Sequence, residues 1–308
     1  MTEDNSKDSR EQRIANLNYD YSSQPSLRRL ACNLCGEERF VTLTHTDRYG
    51  YAASSNGCLR CGLVFLNPVM QPEAYSHFYM DVYRPLVSAY HGRLIDAASI
   101  QDEQREYAAA CGDFMETRLR EAGSKTLLDI GGSTGVVAHA LKERFGLEAT
   151  VIDPAPMEID VARGLGLHTI TGFVEEYDSG GETYDLIILC QTVDHLLDVQ
   201  LSLSKIRNLL SPNGLFFVDI VDFRAAYRRN KSIVGAVKID HPYYLVEDTM
   251  TAYLRRNGFK ILAVNYAADH LHIGYLCALG AGEPDALPDP EHVAAQWREI
   301  RSIQNPID

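Results

Sequence analysis

From Thr126 onward, short apolar runs alternate with stretches that carry apolar residues at helical spacing. TLLDI (126–130), ATVID (149–153), HTIT (168–171), YDLIILC (184–190) and GLFFVDIV (214–221) read as strands buried in a sheet. Between them, VVAHALKERF (136–145), MEIDVARGLG (157–166) and VQLSLSKIRNLL (199–210) read as helices that cover it. Such alternation predicts a parallel sheet with helices on both faces. A further helix near Val246 to Asn257 ends at Gly258, and FKILAVNY and HIGYLCAL then predict a β-hairpin edge. The whole is a doubly wound, seven-stranded α/β domain over residues 123–280.

The N-terminal third has a different texture. Residues 1–29 are polar without apolar periodicity, which predicts a flexible segment in which Leu17, Tyr19 and Tyr21 are the docking candidates. Residues 30–68 hold two cysteine pairs around a strand-like segment, Phe40 to Leu43, and form a small module. Residues 69–122 are a bridge: a Pro- and Tyr-containing stretch leads into a helix from about Leu94 to Ala122. After the sheet domain, residues 281–308 give a Pro-rich linker and a helix carrying the only Trp.

Of 308 residues, 45% are apolar, enough for a large and a small folded unit. No apolar run approaches the roughly 20 residues that span a bilayer, and MTEDNSKDSREQR is too polar for a signal peptide. A cytoplasmic protein without a membrane partner is expected. The formal charge of −13 argues against a nucleic-acid partner. Oligomeric state is not legible from the sequence.

Four of the seven cysteines make the pairs Cys32/Cys35 and Cys58/Cys61, each followed by glycine. In a cytosolic chain, paired C-x-x-C spacing points to one tetrahedral Zn²⁺ held by four thiolates, ahead of unligated cysteines or a redox pair. Four thiolates leave no position open for water, so the zinc is expected to be structural.

Asp129-Ile-Gly131-Gly132-Ser-Thr-Gly135 follows a buried strand and opens a helix, where doubly wound folds bind nucleotides. Its D-x-G-x-x-x-G spacing departs from the dinucleotide fingerprint and resembles the first motif of class I S-adenosylmethionine-dependent methyltransferases, which have a Rossmann-like sheet. The resemblance continues through residues 127–280. Asp153, at the end of the second strand of the sheet, matches the acidic residue that accepts the ribose hydroxyls, with Pro154 beneath the adenine. Phe173 and Val174 fall on the adenine-edge segment, and Gln191 stands where relatives often carry a His near the methionine portion. The resemblance implies S-adenosylmethionine as donor and S-adenosylhomocysteine as product.

Together, the four-cysteine module, the tyrosine-bearing linker and this core resemble the deoxysugar C-methyltransferases, without that family's extra C-terminal domain. The family's Y-x-E-H motif corresponds to Lys238-Ile-Asp240-His241, which makes His241 the first candidate base and Asp240 its neighbour. His195, directly after the fourth strand, is the second candidate; Tyr79 and Tyr83 match a substrate-facing Tyr in the bridge. Asp219 and Asp222 stand at the rim where substrates gather. The expected function is methylation, at oxygen or carbon, of a polar small molecule such as a sugar or nucleotide-sugar. An rRNA base methyltransferase and a noncatalytic cofactor-binding scaffold are the alternatives.

Overall fold

Leu127 and Leu128 are adjacent and both fully buried, because successive side chains of a central strand enter cores on opposite faces of a sheet. The computed structural model describes residues 9–305 and places that strand at the centre of the molecule. In chain order the N-terminal part contains α1 (Arg10–Ala15), β1 (Ser26–Leu27), β2 (Phe40–Thr44), β3 (Ser55–Cys58), β4 (Val64–Leu66) and β5 (Val69–Met70). The bridge follows as α2 (Pro72–His77), a π-helical turn (Phe78–Val82), α3 (Tyr83–His91) and α4 (Gln101–Ala122). The sheet domain comprises β6 (Thr126–Ile130), α5 (Val136–Phe145), β7 (Glu148–Asp153), α6 (Pro156–Gly164), β8 (His168–Thr171) and β9 (Tyr184–Leu189). It continues with α7 (Val199–Leu209), β10 (Leu210–Val221), α8 (Phe223–Asn230), β11 (Tyr243–Tyr244), α9 (Glu247–Arg256), β12 (Phe259–Tyr266) and β13 (His272–Leu279); α10 (Pro290–Gln304) closes the chain.

The seven-stranded sheet runs β12, β13, β10, β9, β6, β7, β8. Strands β6 to β10 are parallel, and β13 is antiparallel to both β10 and β12, as the alternation of runs predicts. One face packs α4, α5 and α6 through Met115, Leu119, Ala138, Leu141 and Ile159. The other packs α7, α9 and the cysteine module. Helix α4 begins at Gln101, later than expected, because Gly92 ends α3 in the left-handed conformation (φ 68°) before the chain turns.

The cysteine module is not a separate bead. Tyr243 and Tyr244 of β11 pair with Phe65 and Val64 of β4, so a strand from the sheet domain becomes the edge of the module's sheet, in the order β11, β4, β3, β2. Cys32, Leu34, Leu63 and Phe65 lie in the same apolar core as β9 and β10.

Residues 9–29 differ from the flexible segment expected there. Ser9 caps α1, β1 pairs with β5, and Ile14 and Tyr21 are buried with Leu17 and Tyr19 packed around them. A few apolar side chains in a polar stretch suffice to dock it, which composition alone conceals. The remainder of that expected segment, residues 1–8, lies outside the described residues. At the other end, α10 folds back on the module, and a Cβ on Gly57 would stand 2.2 Å from the Trp297 ring, so Gly57 makes room for the indole. Among the described residues no helix is long and apolar enough to cross a membrane.

Candidate functional site

The carboxyl ends of β6, β7 and β9 open into a cleft of about 610 Å³, roofed by α2, the π-helical turn and α3. Every glycine-loop residue expected to meet a nucleoside lines it or shapes it. Gly131 (φ 67°) and Gly135 (φ 73°) take left-handed backbone, and a Cβ on Gly132 would stand 2.6 Å from the Asp129 carboxyl. The cradle is closed to side chains and open to a ligand.

Asp129 is fully buried in the cleft wall, and among the described residues no well-formed hydrogen bond reaches its carboxylate oxygens, the main-chain N–H of Ala138 being the nearby donor. Burial and then the charge of Asp153 push its pKa up to about 8. A cationic or donor-bearing ligand group is what this orphaned carboxyl lacks. Asp153 is aimed by two main-chain N–H groups: Ser133 donates at 2.9 Å to one oxygen and Ala155 at 2.8 Å to the other. Pro154, Phe173 and Val174 line the adjoining wall, and Gln191, with φ 50°, lines the far side. The residues therefore fit S-adenosylmethionine: a carboxyl for an ammonium, an aimed carboxyl for a ribose diol, and an apolar slot for a base.

Sequence reading missed a clasp over this cleft. Arg84 of α3 pairs with Glu158 of α6 at 3.1 Å and donates to Ser133 Oγ at 3.4 Å, while Ser133 Oγ donates to Glu158 at 3.1 Å. The bridge is thereby fastened to the glycine loop. Asp219, expected at the rim, is instead an interior strut: it accepts the main-chain N–H of Gln191 at 2.6 Å and the Tyr107 hydroxyl at 2.9 Å. Asp222 caps α8.

At the acceptor end the cleft wall carries Tyr75, Tyr79, Tyr83 and His195. The three tyrosines sit four residues apart, a spacing that gathers them on one helical face and that makes Tyr75 legible in retrospect. The Tyr75 hydroxyl lies 2.7 Å from the His195 carbonyl and 2.9 Å from that of Asp240 and shares its one proton between them, tying α2 to both segments. Tyr79 Oη is hydrogen-bonded to His195 Nδ1, which also meets the Asp240 carbonyl at 2.9 Å.

His241, the first candidate from sequence, does not line the cleft. Its ring lies behind that of His195, with centroids 4.3 Å apart, and it is 4% exposed. Its Nδ1 faces Asp194 at 3.3 Å and its Nε2 faces Asp240 at 3.6 Å; the Lys238 ammonium stands 3.7 Å from the same Asp240 oxygen. A motif match locates a residue in the chain, whereas packing decides which of two neighbouring imidazoles the cleft exposes. Burial lowers the His195 pKa to about 4 and raises that of Asp194 to about 7. His195, Asp240 and His241 bring ligand-type atoms within 4.8 Å of one another, but Lys238 already supplies a cation to Asp240.

In the module, Cys32 and Cys61 sulfurs are 3.6 Å apart and those of Cys35 and Cys58 are 3.5 Å apart. All four lie within 4.8 Å of one another. These spacings exclude disulfides, at about 2.05 Å, and approach the ~3.8 Å edge of a tetrahedron with ~2.3 Å Zn–S bonds. Gly36 and Gly62 donate to the carbonyls of Cys32 and Cys58 at 2.9 and 3.0 Å, forming matched knuckle turns. The cluster is capable of holding Zn²⁺.

Among curated proteins, the ubiquinone biosynthesis O-methyltransferase of Azorhizobium caulinodans is 32% identical over 124 residues, covering 38% of this chain and 48% of that one. The C-methyltransferase NovU of Streptomyces niveus is 26% identical over 220 residues, covering 69% of this chain and 48% of that one. The chain thus spans about half the length of the curated relatives it matches. Among solved structures, the 1,6-didemethyltoxoflavin-N1-methyltransferase of Burkholderia thailandensis is 18% identical with a TM-score of 0.49, covering 71% of this chain and 96% of that one. The profile of the family described as methyltransferase domain matches residues 101–264, from the start of α4 into β12. With that match spanning more than half of the chain and enclosing the glycine loop, Asp153 and His195, the chain belongs to the methyltransferase-domain family and has the class I, Rossmann-like fold of its S-adenosylmethionine-dependent members.

Proposed function

We propose that the protein transfers a methyl group from S-adenosylmethionine to a polar small molecule, a sugar or nucleotide-sugar, with His195 as general base. The carrying observation is that the donor cleft has a single imidazole in its wall, half-buried, held neutral by that burial and oriented by Tyr79 and the Asp240 carbonyl. Bound S-adenosylmethionine supplies an electrophilic methyl group on a sulfonium.

The chain's own residues do the rest. Asp129 would accept from the ammonium and Asp153 from the ribose, and the Arg84 clasp holds the bridge over both. A carbonyl only accepts, so His195 Nδ1 carries the proton toward Asp240, and Nε2 keeps the lone pair that receives a proton from the acceptor. Tyr79 fixes the ring and faces the acceptor. Asp194 and His241 back the ring from behind. The relatives' names cover O- and C-methylation, and a neutral imidazole serves a hydroxyl or a carbon acid alike.

Calorimetry with S-adenosylhomocysteine tests the donor side, and absence of binding would sink the proposal. A screen of nucleotide-sugars and small hydroxyl compounds, read by a mass gain of one methyl group, tests the acceptor; RNA serves as control.

The pH profile is a second check. A base with a pKa of about 4 is deprotonated throughout the neutral range and loses function only as protons bind below it. With S-adenosylmethionine saturating, so that Asp129 (about 8) and Asp153 (about 6) are held in the donor-bound form, the His195 step is therefore expected to stay flat from about pH 8 to 5.5 and to fall toward pH 4. An acid limb centred near 6.5, the ordinary His value, would count against His195.

A further inference from the structure

Asp219 is a buried carboxyl that the methyl-transfer reading leaves unused. It is 2% exposed, near the carboxyl end of β10, and each of its oxygens holds one group. One accepts the main-chain N–H of Gln191 at 2.6 Å, and the other accepts the Tyr107 hydroxyl from α4 at 2.9 Å. Burial raises the Asp219 pKa, and these two donors oppose the rise. Burial also holds the Tyr107 pKa well above its ordinary value, so the phenol keeps the proton that it donates.

What this pair holds is a short turn immediately beyond β9. Gln191 has φ 50°, left-handed backbone that a non-glycine residue keeps only where its surroundings fix it. Here both sides of the Cys190–Gln191 peptide are fixed: Asp219 takes the N–H, and the Thr192 hydroxyl donates to the Cys190 carbonyl at 2.8 Å. The Thr192 side chain in turn lies against Gly131, where a Cβ would stand 2.4 Å from it. Three separate elements, β10, α4 and the glycine loop, therefore converge on one turn.

The turn presents a free amide to the cleft. Gln191 is exposed, lines the cleft with Tyr107 and Asp129, and its side chain has no hydrogen-bond partner among the described residues. Strands β6 and β9 are neighbours with Asp129 paired to Ile188, so Gln191 follows three residues beyond the level of the carboxyl proposed for the donor's ammonium. A primary amide both donates and accepts. That suits the amino-acid end of S-adenosylmethionine, whose carboxylate accepts from the NH₂ and whose ammonium donates to the carbonyl.

We infer that Tyr107 and Asp219 are positioning residues for the donor: they set the left-handed turn at Gln191 and so aim its amide at the amino-acid end of S-adenosylmethionine. The inference rests on the donor reading above and divides the ligand in two. The turn grips the amino-acid half, and the adenosine half stays with Asp153 and the wall at Phe173 and Val174. The methyl group hangs on the sulfur between the halves, so holding both fixes the direction in which it is offered.

The test is calorimetric titration of the full chain with S-adenosylhomocysteine and with 5′-methylthioadenosine, which keeps the adenosine and the sulfur but lacks the amino acid. The unsubstituted protein is expected to bind S-adenosylhomocysteine about tenfold or more tightly than the shorter ligand. Tyr107→Phe, which removes one hydroxyl and keeps the ring, is expected to weaken S-adenosylhomocysteine about three- to tenfold and to leave 5′-methylthioadenosine within about twofold. Asp219→Ala is expected to cost S-adenosylhomocysteine about tenfold or more. Asp219→Asn, whose amide accepts the Gln191 N–H and donates to Tyr107, is expected to recover most of that loss. Should Asp219→Ala fail to fold, Tyr107→Phe decides alone. A merely structural role would weaken both ligands together. Equal weakening of the two, an unchanged preference in Tyr107→Phe, or no preference in the unsubstituted protein overturns the inference. Failure of the unsubstituted protein to bind either ligand strikes the donor reading instead.

Discussion

His195→Ala is expected to lower turnover by about two to four orders of magnitude, the usual range for removing a general base, while S-adenosylhomocysteine affinity stays within about threefold. The separation follows from position. His195 stands with Tyr79 and Tyr83 at the proposed acceptor end of the cleft, and Asp129 and Asp153, proposed to hold the donor, lie beside the glycine loop. Added imidazole should restore part of the lost rate at pH 7, because the cavity left by the ring opens on the cleft. His241→Ala makes the informative contrast. It leaves Asp194 buried without its partner, so its first effect is expected on the melting temperature rather than on the acid limb of the rate profile. A turnover within tenfold of the unsubstituted protein for His195→Ala, or a larger loss with imidazole rescue for His241→Ala, would return the base to His241.

The second large effect concerns the four cysteines. The purified protein is expected to contain one zinc per chain by mass spectrometry, and Cys58→Ser or a strong chelator is expected to destabilise it by several kcal/mol, with turnover falling at least about tenfold. Structural zinc sites carry apparent binding free energies of roughly 10 kcal/mol or more, and a module this small has little apolar core of its own. The link to turnover is through the backbone: Cys58 ends β3, β3 pairs with β4, and β4 holds β11, which begins two residues after His241. Removal of a metal from these thiolates is therefore expected to loosen the segment whose Asp240 carbonyl meets His195 Nδ1. Donor binding, built on β6 and β7, should survive longer than catalysis during chelation. A metal-free preparation with an unchanged melt would remove the zinc from this picture.

What was legible in the sequence was local. Strands β6, β7, β9 and β10 announce themselves as apolar runs, and the left-handed positions at Gly131 and Gly135 as glycines, because each signal is contained within a few residues. The cysteine knuckles are legible for the same reason. What was not legible depended on partners distant in the chain. Two residues, Tyr243 and Tyr244, make β11, too short for any periodicity to reveal, and they become a strand only because β4 offers an edge. Likewise, whether His195 or His241 meets the cleft is decided by Tyr75 and Tyr79, which arrive from α2 and the π-helical turn. The arm at residues 9–29 reads as polar, yet Ile14 and Tyr21 suffice to anchor it.

The pairing of β11 with β4 also bears on how the protein is made. During synthesis the cysteine knuckles leave the ribosome early and can capture metal while the edge beside Phe65 is still bare, since Tyr243 emerges only after β6 to β10 have followed. Until β11 has emerged, β4 would present an open strand edge, the kind of surface that recruits the wrong neighbour. A ribosome-arrested chain ending before β11 should hold zinc yet aggregate more readily than one extended through α9, so the late segment that carries the reaction's backbone support also acts as the seal on an early-folding unit.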